Sequence, residues 1–220
     1  MTTSPLAGRH LKGALIGADE ANPLASVIVF QYNPATMTRR IEPRSTQPTG
    51  QEPGNRAEAM RLSGPPKETI SLTVEIDAAD QIPSINPLAV VTGVYPTLSA
   101  LEMLVYPKSS TVLANAGLAE AGFLEIIPPE MPLTLFIWGP QRVLPVRVES
   151  FSITEEAFDG YLNPIRAKVE LSLGVLSYYD LARTHPGYSI FMVHQVAKEV
   201  MATSNVLNSV QDLGSGLKIF

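Results

Sequence analysis

The chain has 220 residues, 45% hydrophobic and 17% charged, enough for a real core and incompatible with wholesale disorder. Sixteen Lys and Arg against twenty-one Asp and Glu leave a net charge of −5, which argues against a nucleic-acid coat or a polybasic membrane binder. There is no cysteine, so disulfides, thiolate metal sites and a cysteine nucleophile are excluded.

At the N-terminus, Arg9, His10 and Lys12 interrupt the one candidate apolar run, and Asp19 and Glu20 close it. A signal peptide needs about 7–15 unbroken apolar residues, so synthesis and folding in the cytoplasm are expected. No run approaches the roughly 20 apolar residues of a membrane span, and direct membrane insertion is not expected. Nineteen prolines punctuate the chain and predict short elements, mostly strands.

In chain order, Leu11 to Gly17 reads as an edge strand, followed by strands at Val27–Tyr32 and Met37–Ile41. Residues 42–66 are polar and Pro/Gly-rich, and predict a long loop that is mobile in the free chain. Glu68 to Asp77 is the clearest strand: Ile70, Leu72, Val74 and Ile76 alternate with Thr69, Ser71, Thr73 and Glu75. Ser99 and Glu102 have capping-box spacing for a helix near 98–106, with Leu98, Leu101, Leu104 and Val105 on one stripe and Pro107 as its stop. Leu133–Trp138 is apolar on both faces, as a central strand is.

Residues 142–157 and 164–177 predict an antiparallel pair turning at Gly160 to Pro164. Leu144, Val146 and Val148 share one parity and Phe151 and Ile153 the other, so a bulge is expected near Glu149-Ser150. Arg147 and Glu149 are expected opposite Lys168 and Glu170 on the wet face. In the second strand Ile165, Ala167, Val169, Leu171, Leu173 and Val175 share one face. Ser189 then caps a helix over 189–202 with Ile190, Val193, Val196, Ala197 and Val200 as its apolar side. Residues 203–220 predict a docking arm.

The fold expected is mainly β, a β-rich α+β chain with an antiparallel, barrel-like sheet, one or two short helices, and a C-terminal helix plus arm. The β-rich domain is placed at 1–180 and the helix and arm at 181–220.

Catalytic chemistry finds little footing. Glu155 and Glu156 are adjacent, and neighbours in an extended chain point to opposite faces. His185 reads as a loop residue and His194 as an ordinary, partly exposed helix position; no spacing predicts a metal site. Gly13 to Gly17 lacks both the Lys-Ser/Thr end of a phosphate loop and the spacing of a dinucleotide fingerprint. The expectation is a non-enzyme without cofactor or metal. Trp138 reads as a core anchor. Tyr178, Tyr179, Leu213, Leu217 and Phe220 are the candidate interface residues, two rings on opposite sides of a strand end and three spaced apolar residues of the arm.

Three segments carry a resemblance. VIVFQYNPATMTRRI (27–41) is similar to an F-x-YNP opening found in tube- and baseplate-associated proteins of contractile, phage-tail-like injection systems. The stretch 132–176, with its WG strand, hairpin, acidic turn and LNPIRAKV, resembles that family's second signature; LTVEIDAAD and LSALEMLVYP match the region between. The resemblance runs in order through most of residues 11–180. It implies a β-barrel-like structural subunit, an adaptor between baseplate and inner tube near the spike hub. Its partners would be inner tube, spike hub, baseplate wedge and sheath, with copies of itself in a ring. It also implies incorporation into a particle that is cytoplasmic, membrane-attached or extracellular. Many family members add a LysM-like module; the residues after Asp180 offer a helix and an arm in its place, which leaves peptidoglycan binding unsupported. The alternatives are a cell-wall-binding tail protein and a small-ligand β-barrel.

Overall fold

A computed structural model describes residues 11–19, 22–44, 62–79, 91–122 and 131–212. Seven strands form one antiparallel sheet: β1 (Ala14–Asp19), β2 (Asn22–Val29), β3 (Met37–Glu42), β4 (Lys67–Asp77), β5 (Leu133–Ile137), β6 (Val143–Phe158) and β7 (Pro164–Val175). Their order is β2-β1-β5-β6-β7-β4-β3. Of the described residues, 39% are strand and 28% helix, so the chain is mainly β as its alternation predicts. The expected barrel is a curled but open sheet, with β2 and β3 as its two edges. Leu11 to Gly17 is accordingly not an edge: β1 pairs with β2 on one side and β5 on the other.

Alternation sets the inner face. Ile70, Leu72, Val74 and Ile76 of β4 join Ala167, Val169, Leu171 and Leu173 of β7 in one core with Leu15, Ile28, Phe136, Leu144 and Val146. The predicted bulge is present: Val148 pairs with Leu173 and Ser150 with Ser172, leaving Glu149 as the extra residue of β6. That one residue reverses the parity, so Val148 before it and Phe151 and Ile153 after it all pack on the same core. The bulge also corrects the wet-face pairing. Arg147 lies opposite Gly174 and Lys168 opposite Thr154, so Glu149 meets Lys67 (3.6 Å) and Lys168 meets Glu156 (3.2 Å).

Helix α1 (Tyr95–Glu102) buries Leu98 and Leu101, and Leu104 beyond its end joins them in the core. The capping box is not used. The helix starts four residues before Ser99, with Pro96 in a first turn that has no need of its amide proton. The start is fixed by the sheet: the buried Val94 donates its N–H to the Pro164 carbonyl at 2.9 Å. Gly93 precedes it at φ +59°, where a Cβ would collide with that carbonyl, so a larger residue would push α1 off the sheet.

Helix α2 (Ser109–Glu120) has no counterpart in the sequence reading and has no buried residue. Helix α3 (Pro186–Asp212) is longer than expected at both ends. The first ten residues assigned to an arm continue it, and Leu213, Leu217 and Phe220 lie outside the described residues. No proline follows Pro186, so nothing in the sequence interrupts the helix. The 42–66 loop is the connection of the β3–β4 hairpin, where Glu42 pairs with Lys67; residues 45–61, where its mobility was expected, are outside the described residues.

Candidate interaction surfaces

The FQYNP segment follows β2, and its side chains alternate between tasks. Phe30 is buried against Phe136 and Trp138, with ring centroids 6.5 and 6.4 Å away, and Phe136 stacks on Trp138 at 5.9 Å. Trp138 is thus a core anchor, as its sequence predicts. Gly13 leaves room for this cluster, since a Cβ there would lie 2.7 Å from Phe30 and 2.8 Å from Trp138. The Gln31 side-chain amide donates to the Asp77 carbonyl (2.8 Å) and accepts from its N–H (2.9 Å). Asn33 does the same ahead of β1, accepting from Gly13 N–H (2.9 Å) and donating to the Leu11 carbonyl (2.8 Å).

A primary amide presents one donor and one acceptor side by side, so each side chain copies a strand's ladder pair. Gln31 therefore ties the β2 side of the curled sheet to the far end of β4. Beside it Arg166 grips Asp77 at 3.0 and 2.8 Å, and this hydrogen bond, more than any other influence, holds the carboxyl below its usual range. A shallow depression of about 330 Å³ runs along Tyr32, Asn33, Pro34, Thr36, Thr73 and Glu75.

At the other end of β4, Glu68 lies at an inward position, buried among charges. It accepts from Arg39 Nε at 2.8 Å, and Lys198 of α3 stands 3.6 Å from its second oxygen. Arg142 is nearby; burial above all, and then the Arg39 charge, hold its pKa below that of a free guanidinium. His194 is corrected from a partly exposed position to a buried one: Nδ1 faces the Gln141 carbonyl at 3.1 Å, and Nε2 has no hydrogen-bond partner among the described residues. Burial, then the charge of Lys198, lower its pKa below the ordinary value. This cluster fastens α3 to the sheet.

The expected apolar side of α3 divides, with Ile190 and Ala197 half-buried and its three valines turned outward. Phe191 and His194 point to the subunit, and Val193, Val196 and Val200 face away at 71%, 53% and 61% exposure. The apolar periodicity is real, but it does not serve the chain's own core. Tyr178 sits edge-on to Phe191 at 6.0 Å, and Tyr179 is exposed with the Arg44 guanidinium 5.7 Å from its ring. The two rings do point to different neighbours, α3 and the β3–β4 connection. Ser177 and Asp180 lock the turn that carries them, through bonds of 2.9 and 2.6 Å.

Two further surfaces escape the sequence reading. The β6–β7 turn projects Tyr161 and Leu162, 90% and 77% exposed. Asp159 fixes that tip by accepting from Tyr161 N–H (2.7 Å), Asn163 N–H (2.8 Å) and Asn163 Nδ2 (2.8 Å), and Leu162 adopts φ +65°. The Asn163 side-chain bond, foremost among these, keeps the Asp159 carboxyl ionised below its usual range. A tip built on an Asp-Gly turn is legible as a turn; that it carries bare aromatic and aliphatic groups rigidly is not. Helix α2 adds Val112, Leu113 and Leu118, all exposed.

Among the described residues no group of three or more His, Asp or Glu could hold a metal, and no helix is long and apolar enough to cross a membrane. Comparison with known protein-family models and with curated proteins returns no match.

Proposed function

We propose that the chain is a non-enzymatic structural subunit of a contractile, phage-tail-like particle, an adaptor between baseplate and inner tube. The observation that carries an assembly role is α2. A 12-residue helix is marginal alone in water, and this one has no fully buried residue while exposing Val112, Leu113 and Leu118. Such a helix needs a neighbour to cover it. The kind of assembly comes from the resemblance of residues 27–41 and 132–176. The structure gives those residues stitching work (Phe30, Gln31, Asn33, Trp138, Asn163), which suits a rigid building block better than a ligand site.

The test is co-expression with the products of the neighbouring genes, followed by gradient sedimentation. The subunit is expected to travel with the large particle, and omitting it should leave sheath and tube unjoined. A chain that stays at the top of the gradient and binds purified peptidoglycan would overturn this reading in favour of a cell-wall-binding tail protein.

A further inference from the structure

We propose that α3 is a releasable element: one proton taken up by the His194 imidazole frees it from the sheet while the sheet stays folded. The proposal goes beyond the particle reading and does not depend on it.

The attachment of α3 is separate from the main core. That core joins the inner face of the sheet to Val94, Leu98, Leu101 and Leu104 in and around α1, and no described residue of α3 belongs to it. Phe191 is the one described apolar side chain of α3 that is fully buried, and it packs edge-on to Tyr178 at 6.0 Å. Ile190, Met192 and Ala197 are only half-buried. Polar contacts join the helix to the subunit at His194, through the Gln141 carbonyl (3.1 Å), and at Lys198, through Glu68 (3.6 Å). An element held outside the core opens locally at a lower cost than global unfolding.

His194 is the member of this attachment that a proton disturbs. A carbonyl can only accept, so Nδ1 carries the hydrogen of the neutral ring and Nε2 presents a bare lone pair. A second proton must go there. Nε2 is sealed from solvent and has no hydrogen-bond partner among the described residues, so the new N–H would be buried without an acceptor. Charge acts in the same direction. Lys198 lies one helical turn on, Arg142 follows Gln141 in the β5–β6 turn, and both oppose a further positive charge. Glu68 of β4 is the facing carboxylate, and its oxygens are already engaged, one by Arg39 of β3 (2.8 Å) and the other by Lys198. On β6, Glu149 turns to Lys67 and Arg147, and Glu156 to Lys168. Burial above all, then Lys198, hold the docked imidazole below its ordinary pKa of 6.5, and release into water restores that value. The released state therefore binds the proton better. Each pH unit below 6.5 raises the ratio of released to docked helix by up to about tenfold, until the docked pKa is reached.

The experiment is hydrogen exchange on the full chain at about pH 7.5 and about pH 5.5, read by mass spectrometry and corrected for intrinsic exchange rates. Peptides over 188–200 are expected to lose protection about tenfold at the lower pH, the change that one proton gives, whereas peptides over β4 and β7 keep theirs. His194→Gln has no proton to gain and is expected to abolish the change. His194→Leu is read beside it, because leucine fills the site with no polar atom to bury. His185→Gln is expected to preserve the change, although His185 precedes the helix and accepts from Gly187 N–H at 3.1 Å. Protection of α3 that is equal at both pH values in the unaltered chain, a loss shared equally by α3 and β4, or a loss that survives in both His194 variants would each overturn the proposal.

Discussion

Helices α1 and α2 are neighbours in the chain and opposites in use. In α1, Leu98 and Leu101 lie on one side and are buried with Leu104; in α2, Val112, Leu113, Ala114, Ala116 and Leu118 are spread around the axis and none is buried. Periodic apolar residues allow a helix to lie on its own sheet. A helix that is weakly polar all round has no side suited to that, and its apolar groups are left for a neighbour. α3 combines both cases, with one side fixed to the sheet and the other bearing periodic valines that face outward.

The contrast breaks first under paired truncations. Leu101→Ala removes a fully packed side chain and is expected to cost about 2–5 kcal/mol. Leu113→Ala should stay within about 0.5 kcal/mol in the monomer. Denaturant midpoints measure both, and equal losses would mean that α2 packs on its own subunit after all.

The same contrast explains what the sequence made legible. Where a strand has one wet face, as in β4 and β7, alternation alone assigns the core residues correctly. The bulge at Glu149 was readable because the parity of Val148 and Phe151 cannot otherwise be reconciled. The outward turn of Val193, Val196 and Val200 was not readable, since periodicity shows that a face is apolar and not which molecule covers it. Neither was the burial of His194, which comes from Gln141 in a loop 53 residues away. The Gln31 and Asn33 clamps were equally hidden, because their partners are backbone groups whose position depends on how far the sheet curls. α1 began earlier than its capping-box signal because the Pro164 carbonyl, far along the chain, supplied the partner for Val94.

The clamp offers the next test. Gln31→Leu keeps the size of the side chain but loses both bonds to Asp77, leaving a backbone donor and acceptor without those partners. The expected cost is about 2–4 kcal/mol. Hydrogen exchange should quicken at the Asp77 amide well before it does at Val74. Unchanged protection at Asp77 would show that the sheet holds its curl by packing alone.

A smaller effect separates the fixed side of α3 from its free side. His194 has a depressed pKa in the folded chain, so the unfolded chain takes up this proton more readily. Its contribution to stability is therefore complete above its ordinary pKa of 6.5 and is lost as pH falls through the depressed value. The charges around it are Lys198, Arg142 and Glu68, and the two cations oppose protonation. One proton gives a slope of at most about 1.4 kcal/mol per pH unit. His194→Leu is expected to flatten the fall in stability between neutrality and mild acid, while Asp77, depressed by Arg166, still contributes a loss at lower pH. An identical slope in the variant would place the titrating group elsewhere.

The smallest effect on the monomer is expected from the largest deletion. Lys198 of α3 reaches Glu68 of the sheet at 3.6 Å, and residues 201–206 beyond it are exposed. With residues 203–206 exposed, removing residues 203–220 is expected to move the dilute melting midpoint by no more than about 2 °C, on the order of 0.5–1 kcal/mol for a chain of this size. If the truncated chain instead melts many degrees lower even when dilute, residues beyond 202 belong to the subunit's own core, and the division of α3 into a fixed side and a free side fails.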